Sequence, residues 1–265
     1  MFKFIHLTDT HQVKPGQTLY GLNPFERLQA AVASINREHI DAEFVMITGD
    51  LAHWGEAEAY TCLRQALAPL AMPVRLLIGN HDDRSSFLRE FPSTPVDMNG
   101  YVQYWFDSGP IRVVALDTNE PGVSWGTFCD RRASWLAGVL AEATAARRPV
   151  HLMLHHPPFP VGIDSMDRIS LRDPEPLVEA IRPFKAILRH LYFGHVHRPI
   201  AGCWQGLPFS TVRATNHQVA LALRAGEKKV PGSHEPPQYG VVLVGDEQTV
   251  VHLHDFADES PRFDL

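Results

Sequence analysis

The stretch FGHVHRPI places two histidines one residue apart, His195 and His197. Along a strand that spacing sets both side chains on the same side. Four other stretches carry similar residues just after an apolar run. Asp9 and His11 follow FKFIHL, and Asp50 ends EFVMITGD. Asn80 and His81 come at the end of PVRLLIGNHD, and His155 and His156 follow VHLML. Carboxylate, amide oxygen and imidazole together suit divalent metals from manganese through iron to zinc. Any one tip is explained by turn chemistry, because Asp after a strand is commonly a turn former or a cap. Five tips of the same chemistry converging on one sheet edge are not. No thiolate joins the set, so a structural cysteine-type zinc site is not expected. The donors are too many for one ion with open positions. They suit two ions ~3.5–4 Å apart that share a bridging carboxylate.

Something must bring these tips together. FKFIHL, EFVMITGD, PVRLLIGNHD and VHLMLHHPP read as short buried strands, and KAILRHLYFGHVH as a strand running into a polar tip. Between the first two lies NPFERLQAAVASINREH, a helix with Asn23 as its cap, Pro24 in the first turn, and Leu28, Val32 and Ile35 at helical spacing. EAEAYTCLRQALAPL and CDRRASWLAGVLAEATA are two further helices, and Asp173 and Pro174 can open another. Strand–helix alternation favours parallel pairing through helical crossovers, and ligands of such sheets bind at the carboxyl ends of the strands. YVQYWFD and IRVVALD read as a hairpin, and GLPFSTVR, QVALALR, YGVVLVGD and TVVHLHDF as later, more antiparallel strands. The fold class expected is therefore α/β: a four-layer α-β-β-α sandwich of two mixed sheets flanked by helices. One domain is expected over residues 1–255, with an exposed connection at 224–238 and a loose tail at 256–265.

Composition narrows the function. The chain has 265 residues, enough to bury a large core without disulfide staples. Its net charge of −6 speaks against a long nucleic-acid partner, which calls for a basic stripe. Three scattered cysteines, 62, 129 and 203, read as reduced thiols. MFKFIHLTDTH has no signal-peptide pattern, and no stretch has the apolar length of a membrane span. The expected setting is cytoplasmic, with no membrane partner. The hairpin near 101–115 and the tail offer surfaces for a homo-oligomer.

Taken in order, Asp9-x-His11, Gly49-Asp50, Gly79-Asn80-His81-Asp82, His155 in HHPP, and Gly194-His195-x-His197 resemble the calcineurin-like metallophosphoesterase superfamily. LYG at 19–21, GNHDD, HHPPFPVGIDSMD and ATNHQV at 214–219 are similar to its bacterial branch of class III cyclic-nucleotide phosphodiesterases and glycerophosphodiesterases. The resemblance implies two divalent ions, iron or manganese ahead of zinc or cobalt. Asp9, His11 and His197 would hold the first, Asn80, His155 and His195 the second, and Asp50 would bridge them. It leaves His81 unligated beside the phosphate, as a catalytic acid, and sets His217 and Tyr20 near the substrate. The activity implied is hydrolysis of a small phosphodiester, a cyclic nucleotide such as cAMP or a glycerophosphodiester, by metal-activated hydroxide. A phosphomonoesterase or nuclease on the same centre is the alternative, and a non-catalytic interaction scaffold a more distant one.

One position departs from the family pattern. Many relatives read Gly-Asp-x-x-Asp, where this chain reads Gly49-Asp50-Leu51-Ala52-His53. His53 is either a hydrogen-bonding partner behind the ligands or a cap for the next helix. Strand alternation turns His156 away from the ion that His155 would bind. Trp54 and Trp125 are expected to pack in the core. Arg198 is expected to be solvated, and no chemistry is assigned to His6, His39, His151, His190, His252 or His254.

Overall fold

In the computed structural model the polar tips end strands of two sheets that pack face to face. The structure describes every residue except 225, 227, 228 and 265. Three residues of the expected connection and the last residue of the expected tail thus lie outside the described residues. The strands are β1 (Phe2–Leu7), β2 (Val45–Thr48), β3 (Val74–Leu77), β4 (Tyr104–Ser108), β5 (Ile111–Leu116), β6 (Val150–Leu154) and β7 (Leu188–Tyr192). They continue with β8 (Ala201–Trp204), β9 (Leu207–Ser210), β10 (Gln218–Val219), β11 (Gly232–Ser233), β12 (Gln238–Val244) and β13 (Thr249–Asp255). The helices are α1 (Pro24–Glu38), α2 (Ala57–Leu67), α3 (Arg84–Glu90), α4 (Asp130–Ala145), α5 (Asp164–Asp167) and α6 (Glu175–Ile181).

One sheet has the order β13-β12-β1-β2-β3, the other β4-β5-β6-β7-β9-β8. Both are mixed. β1, β2 and β3 are parallel neighbours, and so are β5, β6 and β7. Alternation along β5 shows how the layers are filled. Ile111, Val113 and Ala115 face the other sheet and join its core, together with Met153 and Tyr192. Val114 and Leu116 face the opposite way, into the cluster under α4 and α6 with Leu136, Leu140, Leu177 and Ile181. α1 and α2 cover the first sheet through Leu28, Val32, Ile35, Leu63 and Leu67. The start of α1 is the expected one: the Asn23 side chain accepts from the amides of Phe25 and Glu26, and Pro24 stands at the first helical position. The result is the expected helix–sheet–sheet–helix sandwich.

The differences are local. The strand expected over QVALALR is only two residues long, because β10 pairs with nothing but the two-residue β11, and Leu221 and Leu223 then leave the sheet exposed. β8 was not expected. It returns as β9 through Gln205 and Gly206, both at positive φ, the conformation a tight two-residue hairpin needs. α3 was not expected either, although Asp83 caps it by accepting from the Ser86 amide at 2.7 Å. Residues 185–187, expected as the start of a strand, belong instead to a 3₁₀ helix over Arg182–Ile187 that leads into β7. Among the described residues no helix is long and apolar enough to cross a membrane.

Candidate metal centre

All five tips meet at the carboxyl ends of β1, β2, β3, β6 and β7, where the two sheets close on each other. The closure is made by side chains of opposite charge. From the second sheet, Nε2 of His155 lies 3.3 Å from Asp50 Oδ1, and Nε2 of His197 lies 3.3 Å from Asp9 Oδ1. His11 Nε2 is 3.7 Å from Asp50 Oδ2 and 3.0 Å from His197 Nε2. Asp9, His11, Asp50, His155, His195 and His197 are all at most 5% exposed.

The backbone reaches this geometry by leaving ordinary strand conformation. Asp9, His11, Asp50, His195 and His197 all have positive φ, between 43° and 68°. Non-glycine residues adopt that region seldom, and Asp and His more readily than most. Such strain persists where the surroundings over-determine it. Here backbone amides do so: His195 donates to both Asp9 oxygens at 3.2 and 3.1 Å, and His81 donates to Asp50 Oδ1 at 3.0 Å. Gly79 must be glycine for a steric reason, since a Cβ there would overlap the Asp50 carboxylate and His155 Nε2.

Asp82, which the sequence showed only as part of GNHDD, carries much of the loop. Its carboxylate accepts from the amides of Leu51 and Ala52 at 3.0 Å each and of Gly79 at 2.8 Å, and from the Tyr60 hydroxyl at 2.9 Å. Burial and the nearby Asp50 charge push its pKa up to about 6. It thereby ties the Asp50 turn to the Asn80 turn. No sequence signal separates it from an ordinary turn aspartate.

Electrostatics differ from one imidazole to the next. Burial depresses His195 to about 3. It would depress His155 as well, but the Asp50 carboxylate overrides it and lifts that ring to about 9. Burial opposes and Asp9 again outweighs it at His197, whose pKa is raised. Two rings have a settled orientation: His155 donates Nδ1–H to the Thr48 carbonyl and His197 to the His217 carbonyl, each at 2.8 Å. Their Nε2 atoms face the centre and its carboxylates, where a bound cation would take the place of the Nε2 proton, the arrangement found at metal-ligating histidines.

Two tests ask whether the residues fit a pair of cations. Ligand-type atoms of Asp9, His11, Asp50 and His197 all lie within 4.8 Å of one another. Asn80 Oδ1 and His195 Nε2 are buried without a hydrogen-bond partner. A buried polar atom left so is expected to have an ion, water or functional role to explain it. Both observations fit.

The remaining expected site residues stand around this cluster. His81 donates Nδ1–H to the His53 carbonyl at 2.7 Å and lies against His11, ring centroids 4.9 Å apart. His217 packs on His11 and His197 at 4.9 and 4.8 Å, and Tyr20 lies 4.5 Å from His217 with 60% of its surface exposed. His156 turns its Nδ1 to the Thr118 hydroxyl, 2.8 Å away, but it is not turned away from His155 as expected: ligand-type atoms of His155, His156 and His195 all lie within 4.8 Å of one another. Two other expectations fail. Trp54 is not core; it is 57% exposed and sits edge-on against His53 at the rim. Arg198 is not solvated; it is buried, pairs with Glu235 and donates to the Val219 carbonyl at 3.2 Å.

The family profile of calcineurin-like phosphoesterases matches residues 2–199, three quarters of the chain and every one of the five tips. The chain belongs to the calcineurin-like phosphoesterase family. A probable cyclic nucleotide phosphodiesterase of Rhodopseudomonas palustris is 47% identical over 265 residues, covering 99% of this chain and 96% of that one. A glycerophosphodiester phosphodiesterase of Enterobacter lignolyticus is 31% identical over 81% of this chain and 77% of its own. Among solved structures, a dimetal phosphatase from Danio rerio superposes with a TM-score of 0.73 at 15% identity, over 97% of both chains. That likeness concerns the fold; a binuclear metal site is typical of calcineurin-like phosphoesterases.

Proposed function

We propose that this calcineurin-like phosphoesterase hydrolyses small phosphodiesters, a cyclic nucleotide or a glycerophosphodiester, at a pair of divalent ions. The relatives named above support the substrate class. In this proposal Asp9, His11 and His197 hold one ion, Asn80, His155 and His195 the other, and Asp50 lies between them. Such a pair supplies Lewis acidity, acidifying water and offsetting the negative charge of phosphoryl oxygens. The donor set accepts iron and manganese, and also zinc or cobalt.

The protein's own residues do the rest. Backbone amides of His195 and His81 hold the two carboxylates in place, so their charge is aimed before substrate arrives. His81 has committed Nδ1–H to a carbonyl, which leaves Nε2 as its atom for the reaction. Carrying a proton on Nε2 as well, it gives that Nε2 proton to the leaving oxygen and keeps Nδ1–H on the carbonyl.

The observation that favours a diester is a pair of cavities on either side of the cluster, one bordered by His217 and the other by Asn80 and His81. One, about 440 Å³, is bounded by Tyr20, His217, Val219 and Val230. The other, about 530 Å³, is bounded by Trp54, Asn80, His81, Arg84 and Asn119. An acyclic phosphodiester such as a glycerophosphodiester has two organic arms to place, whereas a monoester or a cyclic nucleotide has one. The test is turnover of 3′,5′-cAMP, 2′,3′-cAMP, glycerophosphocholine and glycerophosphoethanolamine with Mn²⁺, beside bis-p-nitrophenyl and p-nitrophenyl phosphate. Diesters are expected to be the better substrates. A marked preference for p-nitrophenyl phosphate would replace the proposal with a phosphomonoesterase.

A further inference from the structure

His53 stands where the family pattern has a carboxylate, and its contacts are unusually specific. Its side chain is 8% exposed. Its Nδ1 lies 3.0 Å from Nδ1 of His11, its ring stacks on His81 at 4.6 Å and 19°, and its carbonyl accepts Nδ1–H of His81 at 2.7 Å. Its own amide donates to the Gln12 carbonyl at 2.9 Å, which clamps the turn after β2 to the turn after β1. It does not cap α2; Glu56 occupies that position.

The contact with His11 settles protons. His11 directs Nε2 at Asp50 and His197, so Nε2 is its ligand atom. A ligating nitrogen must carry a lone pair, which puts the proton of neutral His11 on Nδ1. An ion held by the Nε2 atoms of His11 and His197 would take both of those lone pairs, whereas the Nδ1 atoms of His11 and His53, 3.0 Å apart, still need one donor and one acceptor. His53 Nδ1 is then the acceptor. His155 and His197 obtain the same orientation from backbone carbonyls, which can only accept. For His11 the job falls to a side chain that can be changed without touching a ligand.

We infer that His53 is a positioning residue of the centre: its Nδ1 holds the proton of His11 on Nδ1 and frees Nε2 for the metal, while its carbonyl fixes His81 in the matching tautomer. This rests on the two-ion proposal above. It follows that one of the two ions is oriented through a neutral acceptor, and that its affinity is tunable at residue 53.

The test is Mn²⁺ titration of metal-free protein by calorimetry, for wild type, His53→Phe and His53→Asn. Phe keeps a ring against His81 but removes the acceptor. Asn sets an oxygen about where Nδ1 stood. In His53→Phe one ion is expected to bind ~10–100-fold more weakly and the other unchanged, the usual size of an effect from behind the ligands. His53→Asn should recover most of that loss. A second readout is independent of affinity and activity: in the Zn²⁺-loaded wild type, ¹⁵N-histidine spectra should show His11 protonated at Nδ1. Two ions bound by His53→Phe at wild-type affinity, a loss that Asn does not reverse, or a His11 unprotonated at Nδ1 would each overturn the inference. Wild-type protein that binds no ion pair would instead fail at the proposed function and take the inference with it.

Discussion

Two groups of buried histidines among the described residues can be compared in this sandwich, and only one is proposed to hold metal. His6, His151 and His190 lie within β1, β6 and β7, around Tyr192. Their partners are neutral: Thr48 Oγ1 at 2.9 Å, the Tyr192 hydroxyl at 3.1 Å and Ser210 Oγ at 2.8 Å. Burial presses their pKa values down, His6 and His151 to about 3 and His190 to about 4. A few residues further along the same strands stand His11, His155 and His195. Orphaned ring nitrogens do not separate the groups, since His6 Nδ1 and His151 Nε2 are orphaned too. Convergent carboxylates do. Asp9 and Asp50 pair with His197 and His155 across the sheets, whereas among the described residues no carboxylate is in ion-pair contact with the inner group. Five of the seven proposed ligand residues, Asp9, His11, Asp50, His195 and His197, also sit at positive φ just past their strands, which lets several side chains point at one place. A buried imidazole is packing until anions and a broken strand aim it at others.

The sharpest way to break the comparison is to remove an anion. Asp50→Ala is expected to reduce diesterase turnover to background, while His6→Phe keeps turnover with wild-type kcat. Full activity in the Asp50 variant would show that carboxylates are not what distinguishes the groups. Next in size is His81→Ala, which should keep both ions and lower kcat ~10²–10⁴-fold, the usual contribution of a placed acid. Ion loss in step with the rate would make His81 a ligand instead.

The inner group has its own signature, in acid. His151 titrates at about 3 when folded and near 6.5 when unfolded. The unfolded chain therefore binds the proton more readily. Stability from this group is complete above pH 6.5 and falls away as pH drops toward 3. For metal-free protein, His151→Phe should lessen the slope of unfolding free energy against pH in that window by up to about 1.4 kcal/mol per unit. Urea unfolding at a series of pH values reads it, and an unchanged slope would mean His151 is charged in the fold. The smallest effect concerns Tyr20, which shares a positive φ of 53° with the ligands but is exposed. Tyr20→Ala should bind both ions and raise KM about 2–10-fold, as for a lost ring contact of ~0.5–1.5 kcal/mol. Metal loss there would make Tyr20 part of the ion-binding framework.

Much of the site was legible because strand tips are written locally. An apolar run followed by Asp-x-His or Gly-Asn-His shows both the element and its end. The same locality explains why His6, His151 and His190 drew no chemistry: they fall inside the apolar runs. The sandwich followed from alternation of strands and helices. What was not legible depends on contacts between distant segments. Asp82 reads as one more turn aspartate until Leu51, Ala52 and Tyr60 are placed on it. Arg198 looked solvated because its partner, Glu235, is 37 residues away. Trp54 looked like core because indole usually is, and nothing local says that its turn lies on the rim. β10 ended early for want of a longer partner strand, which no single segment can reveal.

The central claim is that Asp9 and Asp50 turn buried histidines into a two-ion centre. Elemental analysis of the purified chain, reconstituted with Mn²⁺ and freed of excess metal, tests it most directly. The account predicts two ions per chain for wild type and for His151→Phe, and none for Asp50→Ala. Two ions retained by Asp50→Ala, or none bound by the wild type, would contradict it.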